Sequence, residues 1–134
     1  MPGLTKKAKD ANIQTPRDAF DLMMPESLLS LIIECTNVNM QEFFNKLTPE
    51  LQHCDKHTFL HPPNTNMVEM KALIGLILAR GILGQGHHHV GDLWGPSGHH
   101  IYGATMSRDR FKLLISCLAF EKKDIAQQKW KHDR

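Results

Sequence analysis

Apolar positions along the chain recur at helical spacings, and one stretch, Asn66 to Gly84 (NMVEMKALIGLILARGILG), is apolar on nearly every side. It is expected to be the central helix. Asn66 can cap its start, and Glu69 three residues later can reach back to the cap's amide, which is the capping-box pattern. From Leu73 onward, Leu73, Ile74, Leu76, Ile77, Leu78, Ile82 and Leu83 cover more than one stripe, so other helices should surround this one and Ile77 should be fully buried. Gly75 inside the run costs roughly 1 kcal/mol against alanine; it either lets a neighbouring backbone come close or marks a tolerant site. The unbroken apolar run, Ala72 to Ala79, falls far short of the about 20 residues a membrane span needs, so no membrane segment is expected.

Before it, Thr15 is placed to cap a short helix with Pro16 as first residue and Asp18 in the first turn, where the helix dipole favours a negative charge. Pro25 forces a new start. Leu29, Ile33, Thr36, Met40, Phe43 and Leu47 then recur at alternating spacings of four and three, with Ile32 and Phe44 widening the stripe. Thr36-Asn37-Val38-Asn39 are four poor helix formers in a row, so this helix could bend or split there; a continuous helix is the preferred reading. Thr48 to Thr65, with Pro49, Pro62 and Pro63, reads as a loop with at most one turn near Glu50 to His53. After the central helix, glycines from Gly81 to Gly103 indicate irregular structure with a short helix around Val90 to Trp94 and Trp94 as anchor. A third long helix follows Ser107, with Phe111, Leu114, Ile115 and Leu118 on one face and Arg108, Arg110 and Lys112 displayed away from the core. The end, EKKDIAQQKWKHDR, is polar and lacks a terminating signal. Together these segments predict an all-α, multi-helix domain over residues 15–134 around a buried central helix, with Pro-rich and Gly/His-rich loops and a flexible tail at 1–14.

Composition changes this picture little. The 134 residues, 41% hydrophobic and 22% charged, suit one globular domain. A net charge of +2 is too small to argue for nucleic acid by itself, so any DNA contact must be local. Cys35, Cys54 and Cys117 are an odd count with no secretory signal before them, which reads most simply as reduced thiols. Lys6, Lys7 and Lys9 form only a weak basic cluster.

Candidate chemistry is sparse. His53, Cys54, His57 and His61 crowd one proline-rich loop rather than forming two separated ligand pairs, so no metal is expected there. His87 to His89 with His99 and His100 sit in a glycine-rich loop, where adjacent histidines can bind nickel or zinc loosely without a biological role, so no metal site is expected there either. No nucleophile elbow surrounds Ser97, Ser107 or Ser116, and Cys117 reads as a small core residue. No Gly-Lys-Ser/Thr ending follows the glycines, which excludes a P-loop. Taken alone, the Arg108, Arg110 and Lys112 face reads as solvated surface before it reads as a phosphate contact.

The order of segments from Asp18 to Asp124 resembles the piggyBac-type transposases and the host proteins derived from them. The resemblance is carried by Phe20, Glu34-Cys35-Thr36-Asn37, Glu69 to Gly75 with Arg80-Gly81-Ile82, Leu93-Trp94, and most specifically by Met106-Ser107-Arg108-Asp109-Arg110-Phe111 leading to Leu118-Ala119-Phe120. It implies the helical dimerisation and DNA-binding region that precedes an RNase H-like catalytic domain, with the chain truncated before that domain. Asp92, Asp109 and Asp124 do not sit in the family's catalytic motifs, so no catalytic residue is carried over. The expectation is a non-enzymatic nuclear module with Arg108, Arg110 and Lys112 as DNA-binding candidates and with DNA, a second copy or another protein as partner. No cofactor or small-molecule substrate is expected. A protein-interaction scaffold without a DNA role, or a fragment of an active transposase, is the alternative.

Overall fold

A computed structural model describes residues 5–46 and 63–132. Among these there are eight α-helices and no strand: α1 (Lys6–Asp10), α2 (Pro16–Met23), α3 (Glu26–Asn45), α4 (Met67–Ile82), α5 (Val90–Leu93), α6 (Ile101–Thr105), α7 (Arg108–Cys117) and α8 (Lys123–His132). The expected turn near Glu50 to His53 lies outside the described residues. Within 1–14, α1 buries none of its residues.

Local chemistry sets most of the boundaries. Thr15 and Asp18 form a reciprocal capping box at the start of α2. Amide donors from Gln14 and Thr15, with the Thr15 hydroxyl, hold the Asp18 carboxyl below its ordinary range. Asn66 Oδ1 accepts from the Glu69 amide at 2.9 Å and starts α4. The reciprocal half is absent, because the Glu69 carboxylate turns instead to Arg110. α4 ends in a Schellman motif: Gly84 takes φ +68°, its amide donates to Gly81 O, and the Gln85 amide donates to Arg80 O. Ser107 caps α7 by accepting from the Arg110 amide.

The core lies where α3 packs on α4 and α7, with α6 against α4 and α5 against α7. Leu29, Ile32 and Met40 of α3 meet Met70, Leu73 and Leu76 of α4 and Phe111 and Leu114 of α7, all fully buried. Each such aliphatic side chain contributes about 1.5–3 kcal/mol of transfer free energy. Trp94 is the anchor expected of it: its ring lies 5.2 Å from Tyr102 and 4.9 Å from Phe111, and its indole N–H donates to Met106 O. Gly98 packs so closely on the Leu93 carbonyl that a Cβ would sit 1.9 Å from that oxygen.

α3 is continuous through its weak stretch, and the structure supplies the reason. Asn37 exchanges two hydrogen bonds with the backbone of Thr65, its Oδ1 accepting from the amide at 2.6 Å and its Nδ2 donating to the carbonyl at 3.3 Å. Asn39 donates to Cys117 O, and the Thr36 hydroxyl accepts from the Ala119 amide. Three of the four poor helix formers, Thr36, Asn37 and Asn39, are therefore polar staples that tie α3 to the start of α4 and to the end of α7.

Four expectations are corrected. α4 is not surrounded: it buries Met70, Leu73 and Leu76, whereas Ile77 is 40% exposed because no described helix covers that level of its face. Gly75 has no atom within 4 Å of a Cβ position, so no described backbone approaches it. The buried face of α3 centres on Leu29, Ile32, Cys35, Thr36 and Met40, leaving Phe43 at the margin. α6 and α8 arise in segments that offered no clear apolar period.

Candidate nucleic-acid interface

The Ser107 cap and the burial of Phe111, Leu113, Leu114 and Cys117 fix how α7 sits on the core. That rotation turns Arg108 and Lys112, one helical turn apart, into solvent. Arg108 leans toward Asp109 at 3.5 Å with both side chains half exposed, a pairing worth little in water.

Arg110 does not belong to this face. Its side chain is only 7% exposed and donates to both Glu69 carboxylate oxygens, Nε at 3.0 Å and Nη2 at 2.8 Å, while Nη2 also reaches Asn64 O. Two residues from Arg108 along a helix is about 200° of rotation, which carries Arg110 to the inner side. Burial pushes the Glu69 carboxyl up, but the hydrogen bonds from Arg110 and Thr65 and the Arg110 charge together hold it below its ordinary value. Arg110 thus locks α7 to α4, and only Arg108 and Lys112 of the three expected residues are available to a ligand.

The charge around them is more concentrated than the whole chain indicates. Residues 108–132 carry seven Lys or Arg against three Asp or Glu, although the full chain nets only +2. A windowed charge profile would have found this segment. Part of it is spent internally: Lys122 pairs with Glu34 at 3.1 Å, Lys123 with Glu42, and Lys129 with Glu121. Glu34 holds the Lys122 ammonium above its ordinary value, and Lys123 holds the Glu42 carboxyl below its own. The first two pairs tether the start of α8 to α3, the third stays within the terminal segment, and Lys131 lies exposed on α8 with Trp130.

The other candidates fall elsewhere. Arg80 donates to the carbonyls of Gln85, Gly86 and His88 and so shapes the Gly/His loop. His87, His88 and His89 are exposed, and the His99 and His100 rings stack on one another at 4.3 Å. No group of three metal-ligating side chains occurs among the described residues. The His53, Cys54, His57 and His61 cluster lies outside them. Cys35 and Cys117 are buried free thiols, and burial pushes the Cys117 thiol up, as suits a core residue. Asp92, Asp109 and Asp124 stand on three different helices, α5, α7 and α8. No described helix is long and apolar enough to cross a membrane.

Comparison with known proteins gives one result. The family model described as Transposase IS4 matches residues 15–133, nearly the whole chain. No curated protein and no solved structure matches.

Proposed function

Because the chain belongs to the Transposase IS4 family, we propose that it is a piggyBac-type helical module that meets the phosphate backbone of DNA through α7 and α8. The observation that carries this reading is the outward pair Arg108 and Lys112 on a helix held rigidly by the Arg110–Glu69 lock, within a segment richer in cations than the rest of the chain. Two cations at a fixed spacing on a seated helix suit phosphate positioning, which orients a protein on a duplex without reading its sequence. On this reading the module has no transposition chemistry of its own: two-metal phosphoryl transfer needs carboxylates gathered to hold cations about 4 Å apart, and Asp92, Asp109 and Asp124 belong to three different helices, α5, α7 and α8. Its place of action is the nucleus.

The test is duplex binding by fluorescence anisotropy across a salt series. Arg108→Ala with Lys112→Ala is expected to weaken binding equally on unrelated sequences and to make the slope of log K against log salt shallower by about 2, near 0.9 for each phosphate that is no longer neutralised. Circular dichroism should show an unchanged fold. Equal affinity and slope in the double variant would replace this reading with a protein-interaction scaffold. Incubation with magnesium or manganese and DNA ends flanked by TTAA is expected to yield no nicked or joined product; metal-dependent product abolished by Asp92→Asn or Asp109→Asn would overturn the non-catalytic assignment.

A further inference from the structure

Two lysines at the start of α8 are held by glutamates of α3. Lys122 pairs with Glu34 at 3.1 Å and Lys123 with Glu42, and all four side chains are between 44% and 60% exposed. α8 adds little packing to these pairs. None of residues 123–131 is buried, and only Ala126 among them is half-buried. A cleft of about 370 Å³ opens between the two helices, with Glu34 and Glu42 on one wall and Lys122 and Lys123 on the other. The chain is pinned to α3 just before this point, where the Ala119 amide donates to the Thr36 hydroxyl. Lys122 and Lys123 follow three and four residues later. Lys129 with Glu121 joins α8 to its own lead-in rather than to α3. The start of α8 can therefore leave α3 by exchanging two solvent-exposed ion pairs, which costs little in water and leaves the core closed.

We propose that Glu34 and Glu42 are internal stand-ins for phosphate: they occupy Lys122 and Lys123 in the free chain, and a DNA duplex gains those two lysines only by displacing them. A lysine ammonium makes the same kind of charge-assisted hydrogen bond to a carboxylate oxygen as to a phosphate oxygen, so the two anions compete for one cation. The glutamates hold the advantage of belonging to the same chain, which gives them a high effective concentration. The duplex offers a dense row of charge and releases counterions when it is neutralised. Arg108 and Lys112 are then the cations available at once, and Lys122 and Lys123 are a masked reserve. The inference rests on the phosphate-contact reading of α7 and α8 and adds how that contact is restrained by an acidic side of α3.

The test is duplex binding by the full chain across a salt series. Glu34→Gln with Glu42→Gln is expected to bind unrelated duplexes more tightly and to steepen the slope of log K against log salt by about 2, near 0.9 for each lysine released to a phosphate. Asp21→Asn with Glu26→Gln, which changes the net charge equally at residues outside the two pairs, is expected to leave the slope as it was. Adding Lys122→Ala and Lys123→Ala to the glutamine pair should cancel its gain. Without DNA, acetic anhydride labelling read by mass spectrometry should modify Lys122 and Lys123 faster in the glutamine pair than in the parent chain, at an unchanged far-ultraviolet spectrum. A glutamine pair that binds no more tightly than the Asp21 and Glu26 control, a gain that survives loss of the two lysines, or unchanged labelling would each overturn the masking, and each leaves Arg108 and Lys112 as phosphate contacts. A chain that binds no duplex in any of these forms would overturn the DNA reading and the masking together.

Discussion

The junction of α3, α4 and α7 is fastened by polar groups, whereas the opposite face of α4 is aliphatic and open to water. At the junction Arg110 and Glu69 are paired, Asn37 exchanges hydrogen bonds with Thr65, and Asn39 and Thr36 bind backbone of Cys117 and Ala119. On the far side of the same helix Val68, Leu78 and Ile82 stand largely in solvent. The contrast teaches that residue type sets only a preference for burial. A polar side chain can be buried where partners take up its main donors and acceptors, even though Asn39 Oδ1 stays unpartnered here, and an apolar one is left exposed where no described element covers it.

The strongest way to break this comparison is to truncate one leucine on each side of α4. Leu73→Ala, fully buried, should cost about 4 kcal/mol through lost burial and a cavity, and Leu78→Ala less than about 1 kcal/mol in dilute monomer, read as the shift in chemical denaturation. Near-equal losses would mean that α4 has no inner and outer face.

Next comes the ionic lock. Arg110→Ala should cost about 3 kcal/mol by leaving the partly buried Glu69 carboxylate without its cation. The same pair fixes a pH dependence. The Glu69 carboxyl is depressed in the folded chain below 4.5, so its stabilisation is complete above that pH and is lost as pH falls through the lower folded value. Glu69→Gln is therefore expected to flatten the acid limb of a stability profile below pH 4.5. An unchanged limb would show that the pair contributes nothing.

Asn37→Ala should cost about 2 kcal/mol, since it strands the Thr65 amide, whereas Asn37→Asp keeps the acceptor for that amide and loses less. Thermal unfolding separates the two variants. The smallest effect has the opposite sign. Gly75→Ala should stabilise dilute monomer by about 1 kcal/mol, because nothing stands within 4 Å of the new methyl and alanine is the better helix former. Destabilisation there would mean that another part of the chain covers α4.

The helical class, the start of α2 at Thr15, the Asn66 and Ser107 caps, the stop at Gly84 and the anchoring role of Trp94 were legible in the residues alone. Each rests on interactions within a few positions, and a cap or a periodic stripe is written in local spacing. The segment richest in positive charge was equally legible, had charge been taken in windows rather than over the whole chain.

Tertiary structure decided the rest. Whether Arg110 faces water or Glu69 depends on how α7 rotates against a residue 41 positions away, and no local pattern holds that angle. Whether Ile77 is covered depends on how many helices are available to pack around α4, and the stretch itself only says that it would accept them. Thr36 to Asn39 look like a defect within α3 because their partners, Thr65, Cys117 and Ala119, lie elsewhere in the chain. Local sequence determines which backbone conformations are cheap. Which side chains are finally buried is set by the mutual positions of whole helices, because burial is a property of the neighbours a residue acquires.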